Sequence, residues 1–239
     1  MRSSAPYRYL IAVEALPQLI IQQLRRTAAS FYQYEETGSM TVRHNEQRTR
    51  TLILRSAFEI VCIYGFAGVT LGNLARHIGM SKSGLFAHFK SIEQLHRELI
   101  DHIGDVFRLE VVSPALDAPE GLPRLEATVS NWLIWASRPT TLGGSPLLAG
   151  FFEFDDREGS IRDSLLKQAV GWCTYLRQLA DHAVALGDFR KDLDCEQFVF
   201  ELCGIYFSFH VSERFMRHPG SRAFATVAVN ELVNRARRR

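Results

Sequence analysis

Four cysteines, Cys62, Cys173, Cys195 and Cys203, are spread through 239 residues with no CxxC pair. That spacing offers neither a zinc ribbon nor a thioredoxin-like redox motif. A chain of this length with 46% hydrophobic residues needs no disulfide framework to build a core, so buried reduced thiols are expected. No run stands out as the roughly 18 apolar residues needed to cross a bilayer. Residues 1–30 hold a weak apolar stretch that Glu14 and Pro17 break and Arg25 and Arg26 follow, a poor signal peptide. A GxSxG elbow and a Walker A sequence are both missing. Strand-type alternation is not sustained anywhere. Charge of one sign is scarce too: 28 Lys and Arg face 26 Asp and Glu, a net +2. These absences argue against a membrane protein, a disulfide scaffold, a P-loop enzyme, an α/β-hydrolase and a histone-like polycation. They leave a cytoplasmic globular protein with no expected cofactor or metal.

The small net charge hides an uneven distribution. Residues 41–90 hold seven basic residues against Glu46 and Glu59, a surplus of +5. Residues 91–112 are acidic at −3, and 113–239 nearly cancel at −1. A basic footprint confined to fifty residues points to phosphate as the partner.

The apolar residues recur at helical spacing. Ile53, Ala57, Ile60 and Tyr64 form one stripe, and Ile92, Leu95, Leu99, Ile103 and Val106 form another. Leu122, Leu125, Val129, Trp132 and Ala136 repeat the pattern, and a long stripe runs from Ile161 to Leu186. The chain reads as all-α. Thr70, Ser81 and Ser91 suit N-caps, and Ser91 with Gln94 makes a capping box. Gly65 and Gly187 stand where left-handed residues would end helices. Ser113 to Pro123, with three prolines and a glycine, is expected to join two domains, and 138–146 to be a loop. Three segments result: an extension over 1–39, a domain over 40–112 and a second over 113–239. The extension fits neither domain, and Met40 begins the basic segment, so a start of translation at Met40 is one reading and an extra loosely packed helix the other.

Residues 70–90, TLGNLARHIGMSKSGLFAHFK, hold two short helical stretches split by Gly79-Met80. A short helix, a tight Gly turn and a second helix make a helix-turn-helix. Leu74 and Ala75 face the turn, while Ile78, Leu85 and Phe89 fill the space beneath. Lys82, Ser83, Gly84 and His88 then point outward, as on a recognition helix in a major groove. Arg43, Arg48 and Arg50 are expected to precede the first helix, about 46–64, as an arm toward phosphate or a minor groove. His77 is expected to be structural.

This stretch resembles the DNA-binding domain of TetR-like bacterial repressors. The resemblance rests on YGFAGVT at 64–70 and SKSGLFAHFKSIEQL at 81–95, and it covers about 60 residues. It implies a three-helix DNA-binding domain in which Thr70, Ser81, Lys82, Ser83, Gly84, Phe86, His88 and Lys90 touch DNA. Phe86 stands where that family usually has Tyr, and Ile92 where Lys is common, so two backbone contacts are weakened. Base reading then leans on Lys82, Ser83, Ala87 and His88.

The C-terminal segment is rich in aromatic residues. A helix through Phe198–Val211 is apolar all round, with Phe198, Leu202, Ile205 and Phe209 on one side and Phe200, Phe207 and Val211 on the other. Two buried faces require a partner, and a second copy is the simplest. Phe224, Ala228 and Leu232 offer a parallel stripe on the last helix. The resemblance implies the same, a dimer joined by two helices from each subunit and matched to a palindromic operator. It also implies a small-molecule effector site in this domain, with the helix from Ser91 carrying the change to the recognition helices. Trp132, Trp135, Phe151, Phe152, Trp172 and Tyr206 are the lining expected for a small apolar or aromatic ligand. The acidic residues Glu153, Asp155, Asp156 and Glu158 are read as dipole partners of a helix starting near Ser160. Cys203, Tyr206 and His210 share a helix face but lack the further ligands zinc needs. The function expected is a homodimeric repressor released by its effector. A constitutive DNA-binding protein, and more remotely an all-α enzyme, are the alternatives.

Overall fold

The computed structural model describes residues 42–136 and 145–237, with side chains from Glu46 onward. The extension 1–39 and the loop residues 138–144 lie outside the described residues. From Met40 the chain is one compact unit. No strand is present among the described residues; Phe189 and Arg237 form an isolated bridge.

Helix α1 spans Val42–Gly68 and buries Ile53, Ala57, Ile60 and Val61. It starts before Arg43, so Arg43, Arg48 and Arg50 are helical rather than an extended arm. It is interrupted at Gly65, whose φ of 67° only glycine adopts freely. The break turns Phe66 into the core, and Tyr64, expected in the buried stripe, is left exposed. By length and composition Glu46–Gly68 could cross a membrane, contrary to the sequence reading, but its apolar stripe packs against protein.

Helix α2 covers Leu71–Ile78 and α3 covers Lys82–His88. Thr70 Oγ1 accepts from the Asn73 N–H at 3.1 Å, and Ser81 Oγ accepts from the Gly84 N–H at 3.0 Å. Both expected caps therefore satisfy a donor that the first turn leaves free. Gly79, at φ 70° and ψ 23°, makes the left-handed turn between the helices. Helix α4, Ile92–Phe107, is capped by Ser91 Oγ, which accepts from Gln94 N–H at 3.0 Å. The Gln94 side chain reaches back one residue further than the usual box and accepts from the Lys90 N–H at 3.1 Å.

The expected junction at Ser113–Pro123 is mostly helical. A π turn over Arg108–Val112 and a 3-10 turn over Ser113–Asp117 continue α4 directly. Val111, Val112 and Ala115 are buried, and Pro114 sits near the start of its turn, where a missing N–H costs nothing. Helices α5 (Leu122–Trp135), α6 (Pro146–Glu153), α7 (Ser160–Ala185), α8 (Cys195–His210) and α9 (Ser221–Ala236) complete the described chain. α6 packs on α1, α7 on α4 and α5, and α9 on α8. One continuous set of buried side chains runs from Ile53 to Ala236.

Candidate nucleic-acid interface

Leu85 of α3 and Phe89, the extended residue that caps its C-terminus, are fully buried in the core that also holds Leu74 and Ala75 of α2. That pins the inward face of a seven-residue helix and leaves Ser81, Lys82, Ser83, Phe86, Ala87 and Lys90 exposed. Thr70 is exposed beside them, and Gly84 is half-buried. Ser81 and Ser83 hydroxyls lie 3.0 Å apart. His88 is only half-exposed, and its Nδ1 is buried without a hydrogen-bond partner. Lys82 and Ser83 are thus better placed than His88 to read a base edge. His77 pairs with Glu59 at 3.2 Å, away from this face.

Arg50 is the main departure from the sequence reading. It does not extend toward phosphate. Its guanidinium lies 4.4 Å from the Phe89 ring centroid, donates to the His88 carbonyl and pairs with Glu98 of α4. One α1 side chain therefore ties the end of α3 to α4 through a planar donor fork that also stacks on an aromatic face. Arg48 is exposed on α1, and Arg43 lies in its first turn. A cation that holds phosphate and one that holds the fold separate in a salt titration. Lys90→Ala is expected to lower the slope of log affinity against log salt by about 1. Arg50→Ala is expected to weaken DNA binding with the slope unchanged, and to lower stability by about 2 kcal/mol through the lost charged hydrogen bonds.

The turn between α1 and α2 is held from two sides. Glu153, the last residue of α6, accepts from the Phe66 N–H at 2.9 Å and the Ala67 N–H at 2.8 Å, one with each carboxylate oxygen. His96 Nε2 of α4 lies 2.9 Å from the Val69 carbonyl. The Phe66 ring sits edge-on to both His96 and Phe154, each at 5.8 Å. Glu153 was expected to serve the N-terminus of α7; it serves this turn instead, because Gly65 ends the helical hydrogen bonding and leaves two N–H groups free. Nothing in the spacing of the acidic cluster foretold a partner 87 residues away.

Four of the expected effector residues meet in one aromatic cluster. Trp132 stacks on Tyr206 at 3.9 Å and 12°, and meets Trp172 edge-on at 4.9 Å. Phe107 bridges Trp172 at 4.8 Å and Trp135 at 5.5 Å. Trp172 Nε1 and His210 Nδ1 are buried without hydrogen bonds, and the Tyr206 hydroxyl is buried beside Ser145. Burial pushes the Tyr206 hydroxyl pKa up and the His210 pKa down, so both stay neutral. Phe151 is half-buried, but Phe152 does not join the cluster. One position along α6 turns a side chain by about 100°, and Phe152 is exposed with its ring 6.5 Å from Phe207. Tyr175 lies 5.8 Å from Trp172, and Phe107 joins the cluster from outside the C-terminal segment where the lining is expected. The signal for Phe107 was its place at the end of the α4 stripe.

A second exposed face lies on α8 and α9. Phe200 is 75% exposed and Phe224 63%, with Phe207, Val211 and Val227 beside them in sequence register. Ala228 is half-buried. Leu232, expected on this face, is buried in the chain's own core because it falls on the same side of α9 as Ala225 and Ala236.

Comparison with known proteins agrees with this geometry. Residues 53–99 match the family profile described as bacterial regulatory proteins, tetR family, and residues 121–229 match the tetracyclin repressor-like C-terminal domain. A TetR-family regulator from Cytophaga hutchinsonii superposes with a TM-score of 0.72 at 16% identity, over 84% of this chain and all of that one. A TetR regulator from Chloroflexus aurantiacus gives 0.70 at 22% identity, over 80% of this chain and 94% of that one. AibR, solved with isovaleryl coenzyme A and operator DNA, gives 0.59 at 19% identity, over 78% and 97%. No curated protein sequence matches the chain. With the helix-turn-helix in place at one end, the regulatory-domain profile matched over the other, and the nine described helices arranged as in these structures, the chain belongs to the TetR family of DNA-binding transcriptional regulators.

Proposed function

We propose that this chain is a cytoplasmic homodimeric repressor that holds a palindromic operator and releases it when a small apolar or aromatic ligand enters the C-terminal domain. Residues 40–112 hold DNA, and residues 113–239 dimerise and sense. The observation that carries the reading is the outward face of α3, where Lys82, Ser83, Phe86 and Lys90 are exposed while Leu85 and Phe89 fix the helix below. Thr70 and Ser81 add hydroxyls at the adjoining helix starts. Gly84 lets the backbone approach DNA, Arg48 extends the basic surface along α1, and Arg43 stands in the first turn of that helix. His88 contributes at the edge of the face. The aromatic cluster of Trp132, Trp135, Trp172 and Tyr206, with Phe151 beside it, supports an effector that inserts among rings. AibR is a distant fold relative solved with both a small molecule and operator DNA, which supports pairing the two roles here.

Selection of duplexes from a random pool by the full chain tests the DNA half. A palindromic consensus is expected, with Lys82→Ala losing about 1–3 kcal/mol for a base contact. Absence of any sequence preference at low salt overturns the reading. Thermal shift against hydrophobic small molecules tests the effector half, since a ligand at a hundred times its Kd stabilises the native state by about 2.7 kcal/mol. The close stacking of Trp132 on Tyr206 favours a second reading, a constitutive binder with a filled core. A ligand that raises Tm and releases the selected duplex decides against it.

A further inference from the structure

We propose that Glu153 is a positioning residue for DNA recognition, the strut through which α6 sets the placement of the helix-turn-helix. This rests on the DNA-binding function proposed above and deepens it. The carboxylate spans two adjacent backbone N–H groups, of Phe66 and Ala67, at 2.9 and 2.8 Å. Those groups begin the short helical turn after the break at Gly65. An ionised acceptor on two backbone donors is stronger than a neutral one. It is also directional, because both oxygens are used.

The rest of the joint transmits this grip. A Cβ on Gly65 would lie 3.0 Å from Glu153 Oε2, and one on Gly150 would lie 2.7 Å from Phe66 Cε2. Gly65 therefore lies against the Glu153 carboxylate and Gly150 against the Phe66 ring, with no room for a side chain on either glycine. Phe66 fills the space, wedged against Phe154 and His96. His96 holds the far end of the turn at the Val69 carbonyl, and the next residue, Thr70, caps α2. From the Glu153 contact to the first residue of α2 is only a few residues of held backbone, and Gly79 then fixes α3 to α2. At its other end α6 starts from Ser145, whose hydroxyl caps Leu148 and which lies next to the Tyr206 hydroxyl of the aromatic cluster. A shift of α6 therefore reaches the recognition helix through the α1–α2 turn, which α4 braces through His96.

The test uses the full chain and the duplex it selects from a random pool, with poly(dI-dC) as non-specific DNA. Glu153→Ala is expected to remain helical by circular dichroism at 20 °C, to lose amide-exchange protection at Phe66 and Ala67, and to lose about tenfold of specific affinity with non-specific affinity unchanged. Glu153→Gln keeps the volume and one acceptor, and is expected to lose less; it carries the test if the alanine variant does not fold. Gly150→Ala presses on the same joint from α6, so its effect combined with Glu153→Gln is expected to be smaller than the sum. A folded Glu153 variant with wild-type preference for the selected duplex overturns the proposal. So does a fall in Tm that leaves the ratio of specific to non-specific affinity intact, and so does strict additivity with Gly150→Ala. If the wild-type chain selects no duplex at all, the DNA-binding reading fails and this proposal falls with it.

Discussion

Replacing Phe200 and Phe224 together with Asp is expected to give a folded monomer that binds the selected operator at least about a hundredfold more weakly than wild type. Both rings are mostly in solvent in the single chain, at 75% and 63% exposure, and neither fills a cavity there. Their loss therefore costs the protomer little. A soluble chain rarely leaves Phe200, Phe207, Val211, Phe224 and Val227 uncovered along two packed helices without a partner for them. Placing two carboxylates at the centre of such a contact puts like charges opposite one another in any two-fold pairing, since each residue meets its own equivalent surface. The operator effect follows from linkage. Two half-sites bound by a joined pair benefit from an effective concentration of millimolar order, which separate monomers lack. Light scattering after gel filtration gives the mass, and fluorescence anisotropy on the selected duplex gives the affinity. A variant that stays dimeric, or a monomer that binds as tightly as wild type, shows that these helices do not make the DNA-competent assembly.

The largest stability effect is expected at Phe66. Phe66→Ala should cost about 3–5 kcal/mol, which for a chain of this size lowers Tm by about 6–20 °C at 2–4 °C per kcal/mol. Phe66 is fully buried and lies edge-on to His96 and Phe154, with Gly150 directly beneath it. The cavity would open among residues from α1, α4 and α6. Relaxation is limited there, because Glu153 and His96 hold the backbone on either side. Differential scanning calorimetry checks the value. A loss below 1 kcal/mol would mean that the turn collapses into the space and that the joint is not rigid.

Much of the architecture was legible before any coordinates. Thr70, Ser81 and Ser91 act as caps, and Gly79 makes the turn, because these are local effects of a hydroxyl or a missing Cβ on the nearest backbone groups. Helical stripes at Ile53–Ile60 and Leu95–Ile103 are buried as their spacing requires. The outward residues of α3 follow from two buried positions four apart. Local reasoning failed where a side chain found a distant partner. Arg50 was counted among cations for phosphate, but its charge is taken by Glu98 and its plane by Phe89. Glu153 was assigned to the nearest helix start and instead serves a turn in another part of the chain. Phe152, expected to line the pocket, is exposed, and Leu232, expected in the outer stripe with Phe224 and Ala228, is buried in the chain's own core.

By itself the sequence determined the helical class, the helix-turn-helix with its caps and outward residues, and the confinement of positive charge to residues 41–90. Each depends on spacing within a few residues, where backbone geometry leaves few choices. Only the tertiary structure decided which charges remain available to DNA, which aromatic rings touch, and what holds the recognition helix in place. Those depend on contacts between distant residues, such as Arg50 with His88, 38 positions apart, and Phe66 with Glu153, 87 apart, and no period in the sequence encodes them.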